Sequence, residues 1–255
     1  MRRLLLLPLL FVVSASSRAA VPSLLEAALQ KVSAETDRWA YTQTLIERNE
    51  KGKVLRVAIV RFDPSKPFAE QYTPLSIDGQ PPSEAQKRKY RRQGERRGER
   101  QEKAESEGTT PARKTLGELM DLDHAVIVAT DERTTTFEVP LKKEGNRRLP
   151  PDKFRVTARV NREQDAFEHI DVRLRSPMRA QVVLKIKSGE GRLEFNTVDP
   201  KFAPTLTAIS GGAAGSIVLV PIGRSYEVKR DAFQRVKPFA DRFQVKMGPL
   251  KSIDF

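Results

Sequence analysis

Residues 154–175 read FRVTARVNREQDAFEHIDVRLR, and this stretch decides the fold. In 154–161 the apolar Val156, Ala158 and Val160 alternate with Arg155, Thr157 and Arg159. After a polar break, Ile170, Val172 and Leu174 alternate with Asp171, Arg173 and Arg175. Successive strand side chains point to opposite faces, so a period of two means one apolar face and one wet face. That pattern suits an antiparallel sheet packed on one side.

The same signal spreads in both directions. Toward the C-terminus, Val182, Leu184 and Ile186 alternate with Val183, Lys185 and Lys187. Leu193 and Phe195 then follow a Gly189-Glu190-Gly191 turn. Leu206–Ile209 and Ile217–Ile222 flank a second turn at Gly211–Gly215, and Ser225–Val228 continues the pattern. Toward the N-terminus, Ala125–Ala129 and Thr134–Leu141 form a hairpin around Asp131-Glu132. Trp39–Glu47 and Val54–Phe62 form another across the turn Asn49–Gly52. Phe68–Ile77 reads as a third strand, closed by Asp78-Gly79 and Pro81-Pro82. With about ten short strands, the fold class is mainly β (α+β): an antiparallel open β-barrel or a strongly curved sheet.

One helix stands ahead of the strands. Ser23-x-x-Glu26 is a capping box, and Leu25, Ala28, Leu29 and Val32 recur at helical spacing, which predicts a helix over 23–36. An isolated helix of that length is marginal, so its apolar stripe is expected to pack on the sheet.

Residues 1–20, MRRLLLLPLLFVVSASSRAA, have the three-part layout of a secretory signal: Arg2 and Arg3, an apolar run from Leu4 to Val13, then Ser17 and Ala19 at small-residue positions. The run is shorter than the roughly 20 residues that a membrane span needs. Cleavage near Ala19 is expected, leaving one β-rich domain over 20–255 in the periplasm of a bacterium or outside the cell. No later stretch is apolar enough to span a membrane. The 255 residues contain no cysteine, which excludes disulfides, thiolate metal sites and lipid attachment through a thiol.

Lysine and arginine number 46 against 33 acids, a net +13. Part of this excess leaves with Arg2, Arg3 and Arg18. A larger part lies in an insertion at about 83–114, where 87–103 hold nine basic and three acidic residues. Ser83-x-x-Gln86 could cap a helix here. However, a helix polar all round has no face for a core, and Gly94 and Gly98 weaken it. The expectation is an exposed basic arm, helical or disordered, that packs on nothing. Its Lys87, Arg88, Lys89, Arg91, Arg92, Arg96 and Arg97, with Arg173 and Arg175 from the sheet's polar face, are the candidate contacts for an anionic partner. The arm's lone aromatic, Tyr90, argues against nucleic acid.

Catalytic signatures are missing. His124 and His169 are the only histidines, too few for an ordinary metal site even with Asp171 beside His169 in strand alternation. There is no Gly-x-Ser-x-Gly motif and no P-loop ending. The reading is a non-enzymatic protein with no cofactor and no metal.

The order of elements is a signal, a short amphipathic helix, a Trp-Ala-Tyr-Thr-Gln-Thr strand at 39–44, then many antiparallel strands. It resembles exported bacterial proteins of the LolA-like, outer-membrane lipoprotein carrier type. It also resembles exported proteins with a Trp-x-Tyr-Thr start and an Asp-Pro-Ser-Lys-Pro…Ser-Ile-Asp-Gly-Gln-Pro-Pro segment, here within 63–82. The resemblance implies an incomplete barrel wrapped on a helix around a cavity for acyl chains. On that reading Trp39, Tyr41, Leu45, Val57 and Ile59 line the cavity, and the ligand is a lipid or lipoprotein acyl chain with an anionic headgroup. The alternative is an envelope assembly protein that binds a partner or an acidic polymer through the basic insertion.

Overall fold

In the computed structural model, which describes residues 23–107, 116–143, 150–179, 184–217 and 220–242, eleven strands form one antiparallel sheet. They are β1 (Trp39–Asn49), β2 (Val54–Phe62), β3 (Tyr72–Ile77), β4 (Val126–Thr130), β5 (Thr134–Glu138), β6 (Phe154–Asn161), β7 (Ala166–Leu174), β8 (Met178–Arg179), β9 (Leu184–Asn196), β10 (Thr205–Ile217) and β11 (Val220–Arg235). Three helices join them: α1 (Ser23–Glu35), α2 (Glu84–Ser106) and the single turn α3 (Leu116–Leu119). The spatial order is β3-β2-β1-β11-β10-β9-β7-β6-β5-β4, with β8 beside β9. The end strands β3 and β4 do not pair, so the sheet is open. The expected export signal at 1–19 lies outside the described residues, as does the end of the insertion from 108.

The deciding stretch folds as its alternation requires. Val156 pairs with Val172 and Ala158 with Ile170, while Arg155 pairs with Arg173 on the other face. Val156, Ala158, Val160 and Ile170 are buried. Leu25, Ala28 and Leu29 of α1 lie on this face and join Met120, Phe137, Val139, Phe167 and Phe195 in the main core. A second, smaller cluster holds Trp39, Tyr41 and Phe62 with Tyr72, Phe202 and Phe233.

Three expectations are corrected. First, β3 starts at Tyr72, because Phe68–Glu70 is a 3-10 turn. The buried Gln71 amide donates to the Lys66 carbonyl at 2.8 Å and holds the loop folded. Second, neither glycine-rich stretch is a turn. Gly189–Gly191 and Gly211–Gly215 lie inside β9 and β10, with Gly211 opposite both Gly191 and Tyr226. A Cβ on Gly211 would stand 2.8 Å from the Tyr226 hydroxyl oxygen, so glycine marks close packing here. The reversal between β10 and β11 comes after Ile217, which pairs with Val220.

Third, the basic insertion is a docked helix. Ser83 and Gln86 cap α2 reciprocally: the Ser83 N–H donates to Gln86 Oε1 at 2.7 Å and the Gln86 N–H to Ser83 Oγ at 3.3 Å. Gly94 and Gly98 are its contact points. A Cβ on Gly94 would overlap the Phe68 carbonyl oxygen, and one on Gly98 would stand 2.9 Å from the Phe68 ring. Two glycines four residues apart open a flat strip on a polar helix, and backbone approach replaces an apolar stripe.

The two ends of the sheet differ. At one end, α2 packs beside β3, and Pro74 removes a donor from that edge. At the other, all five residues of β4 are exposed, including Val126, Ile127 and Val128. Among the described residues no helix is long and apolar enough to cross a membrane.

Candidate functional site

The smaller cluster borders a cavity of about 270 Å³ between the end of α1 and the inner face of the sheet. Asp37 makes it possible: at φ 58° it turns the chain sharply out of α1 and into β1. Trp39 and Tyr41 then point inward, two residues apart on one strand face. Their rings, with Phe62, Tyr72, Phe195 and Leu206, form the apolar walls. The rings meet at angles rather than in flat stacks: Trp39 to Phe202 is edge-on at 5.4 Å, and Tyr41 to Phe62 is tilted at 5.1 Å.

Three arginines fasten this aromatic set. Arg235 stands over Phe202 at 4.2 Å and Trp39 at 5.0 Å, and it pairs with the Glu35 carboxylate. Glu35 also accepts from Trp39 Nε1 at 2.7 Å, which ties α1 to β1. Arg97 of α2 lies over Tyr72, Phe68 and Phe62 at 5.0, 5.5 and 5.7 Å. Arg230 lies 4.4 Å above the Tyr41 ring and donates through Nη1 to the Leu206 carbonyl at 3.2 Å.

Arg230 differs from Arg235 in one respect. It lines the cavity, yet its Nε is buried and has no hydrogen-bond partner. A buried donor left without an acceptor costs about 1–3 kcal/mol. The guanidinium charge, standing beside a largely apolar chamber, favours an anionic group there. Glu35 and Asp37 also lie along the cavity's border, but Glu35 is already held by Arg235 and Trp39.

Of the five cavity residues expected from sequence, Trp39 and Tyr41 line the chamber. Leu45 shares their strand face but stands farther along β1, outside the walls. Val57 and Ile59 are corrections. They pair with Ile46 and Thr44, which puts them on the opposite face, while β2 buries Ala58, Val60 and Phe62. A register read one residue off moves every side chain to the other face. Arg230 and Arg235 were missed. The period of two through Tyr226, Val228 and Arg230 was the available signal, since it carries a cation onto an apolar face.

The expected cationic contacts divide as well. Lys87, Arg88, Lys89, Arg91, Arg92 and Arg96 are exposed on α2, whereas Arg97 turns inward under the rings. Arg175 of the sheet joins Arg155 on the Glu138 carboxylate. Arg173 lies opposite Arg155 and Glu190. Arg159 reaches Asp131 and Glu168, each at 3.0 Å, and Arg192 grips Asp171 with two bonds of 2.6 and 2.9 Å. The sheet's polar face is thus largely a lattice of ion pairs. Asp131 is held below the usual carboxylate range by the Thr134 hydroxyl and by backbone donors. Burial, then the Arg192 charge, pushes the His169 imidazole below its ordinary value. His124 bonds Asp121 at 2.9 Å. Among the described residues no three acidic or histidine side chains converge as a metal site would require.

No protein-family model matches the chain, and no curated protein matches it. Two solved structures are similar. One is a LolA superfamily protein from Nitrosomonas europaea, 10% identical, with 88% of this chain and 96% of that chain covered at a TM-score of 0.39. The other is a DUF1329 family protein from Desulfovibrio piger, 10% identical, with 84% and 92% covered at a TM-score of 0.36. The first bears the family name that the order of elements in the sequence resembles.

Proposed function

We propose that the chain is an exported, non-enzymatic binding or carrier protein for an amphiphile with one slender apolar tail and an anionic head. The observation that carries this reading is Arg230, whose guanidinium charge stands at the wall of a chamber lined mostly by aromatic and aliphatic side chains, with Ser33, Glu35, Thr36, Asp37 and Thr205 as its other polar lining. The tail lies between Trp39, Tyr41, Phe62 and Phe195, and the head meets Arg230. The volume of about 270 Å³ is just below the roughly 300 Å³ at which ordinary ligand pockets begin, so it suits a single acyl chain better than a multi-chain lipid. Binding to such a chamber needs no reaction step and no cofactor.

Gentle purification followed by lipid mass spectrometry tests the reading, together with displacement of a fluorescent fatty acid. Arg230→Met keeps the bulk and removes the donors. It should weaken binding about tenfold to a hundredfold, the worth of a charge-assisted hydrogen bond. Val32→Trp, which fills the chamber from α1, should abolish binding. Fatty-acid binding that survives both changes sinks the proposal. Export is checked separately by N-terminal sequencing of the secreted chain, with Ala20 as the expected first residue.

A further inference from the structure

We infer that the outward face of α2 is a docking surface for an anionic lipid bilayer and presents the cavity to it. The choice of a bilayer rests on the amphiphile reading above; the surface itself does not.

The helix has two unlike sides. Gly94, Arg97, Gly98 and Ala104 face inward, and Gly94, Gly98 and Ala104 are buried. Arg97 is pinned under Phe62, Phe68 and Tyr72, and two of these rings, Phe62 and Tyr72, also line the cavity. The helix is therefore clamped to the outside of the cavity wall.

On the outward side, helical spacing gathers Arg88, Lys89, Arg92, Arg96, Arg100 and Lys103 into one stripe. All six are exposed. The stripe is about 22 Å long at 1.5 Å per residue. Glu95 and Glu102 fall beside it, while Glu99 falls within it, one turn from both Arg96 and Lys103. Of the six cations, only Lys103 has a carboxylate within ion-pair reach among the described residues, Glu107 at 3.7 Å. The contrast with the sheet is direct, because there Arg155, Arg159, Arg175 and Arg192 each hold an acid.

Folding does not account for this stripe. Arg88, Arg92, Arg96 and Arg100 follow at intervals of four, where like charges destabilise a helix. Cations in the first turns also oppose the helix dipole. Beyond Lys103 with Glu107, Arg100 Nε donating to the Arg96 carbonyl at 2.9 Å and the charge of Glu84 near Arg88, the stripe meets no internal partner among the described residues, and such a surface is suited to an external one. The stripe carries no aromatic ring for stacking nucleic-acid bases. It carries no apolar side chain for insertion into a membrane either. A rigid, straight row of cations therefore suits adsorption to a flat anionic surface. A ligand whose tail fills the neighbouring cavity would be drawn from such a surface.

Co-sedimentation of the whole chain with vesicles tests the inference. Vesicles of phosphatidylglycerol mixed with phosphatidylcholine should bind it, and phosphatidylcholine alone should not. Binding should vanish at about 0.5 M salt, where charges are screened beyond a few ångström. Each cation near an anionic leaflet strengthens adsorption about fivefold, so Arg88→Gln, Arg92→Gln, Arg96→Gln and Arg100→Gln together should weaken it several-hundredfold. Glutamine keeps helix propensity, and fatty-acid binding by this variant should stay unchanged. Unchanged vesicle binding in the variant overturns the inference. So does equal binding to neutral vesicles, or tighter binding to duplex nucleic acid or an acidic peptide than to anionic vesicles at the same salt. Vesicle binding that persists in a protein with no affinity for fatty acid retires the carrier reading and leaves the docking surface standing.

Discussion

Under β5, β6 and β7 the inner face of the sheet is covered by aliphatic side chains from α1 and from the segments that flank β4 and β5; under β1, β2 and β11 it is covered by rings and guanidinium groups. In the first region Leu25, Val139, Val160, Phe137 and Phe167 are almost wholly buried and shut out water. In the second, Trp39, Tyr41, Phe62 and Phe233 meet edge-on or tilted, and Arg97, Arg230 and Arg235 lie over their faces. Aliphatic groups interdigitate to close gaps. Rigid rings held by cations keep their spacing and leave the gap open. Each cation–ring contact is worth about 0.5–2 kcal/mol, enough to fix a wall without filling the space behind it. The first region supplies stability, and the second spends part of its packing on a chamber.

The largest expected effect lies in the closed region. Phe137→Ala should cost about 3–5 kcal/mol in urea denaturation and leave fatty-acid affinity per folded molecule unchanged. A comparable loss of affinity would mean that the two regions are not separable. Next comes the clasp on the open region. Gly94→Val drives a side chain into the Phe68 backbone and should cost about 1–3 kcal/mol. Hydrogen exchange should then quicken across 84–106 before it does so in β6 or β7.

A smaller effect is expected at Arg235. Arg235→Met strips the Glu35 carboxylate of its cation and should cost about 1–2 kcal/mol. Trp39 is the chain's single tryptophan, so its fluorescence reports the change directly. An unaltered emission spectrum would show that Arg235 does not hold the wall. The smallest effect is electrostatic and belongs to the closed region. Burial keeps His169 neutral in the folded chain below its usual 6.5, whereas the unfolded chain takes up the proton there. Stability should therefore decline as pH falls below 6.5, and His169→Gln should flatten that decline in thermal melts. An identical slope in the variant would assign the acid sensitivity to other groups.

Sequence reading went furthest where the structure is local. The alternations at 154–175 and 39–62 carried strand positions and hairpin pairing, and Ser23-x-x-Glu26 marked the start of α1. It failed where a residue's meaning depends on a distant neighbour. Gly211 looks like a turn residue until Tyr226 is seen above it. Gly94 and Gly98 look like helix breakers until Phe68 arrives from another loop. Val57 and Ile59 alternate with the buried Ala58 and Val60, and only the pairing with β1 shows which of the two sets faces inward. The site was half legible. Trp39 and Tyr41 announced themselves, but Arg230 enters the cavity only because β11 pairs with β1 across most of the chain's length.

The unequal ends of the sheet bear on how copies of this chain could associate. Pro74 and α2 close the β3 edge, and β4 offers five exposed residues, four of them β-branched. Exposed edges of that kind recruit further strands. Among the described residues one end of the sheet is capped and the other is bare, which gives the sheet one edge open to such pairing. If two copies paired through these edges, the capped β3 edges would face outward, and strand pairing would join two chains without continuing.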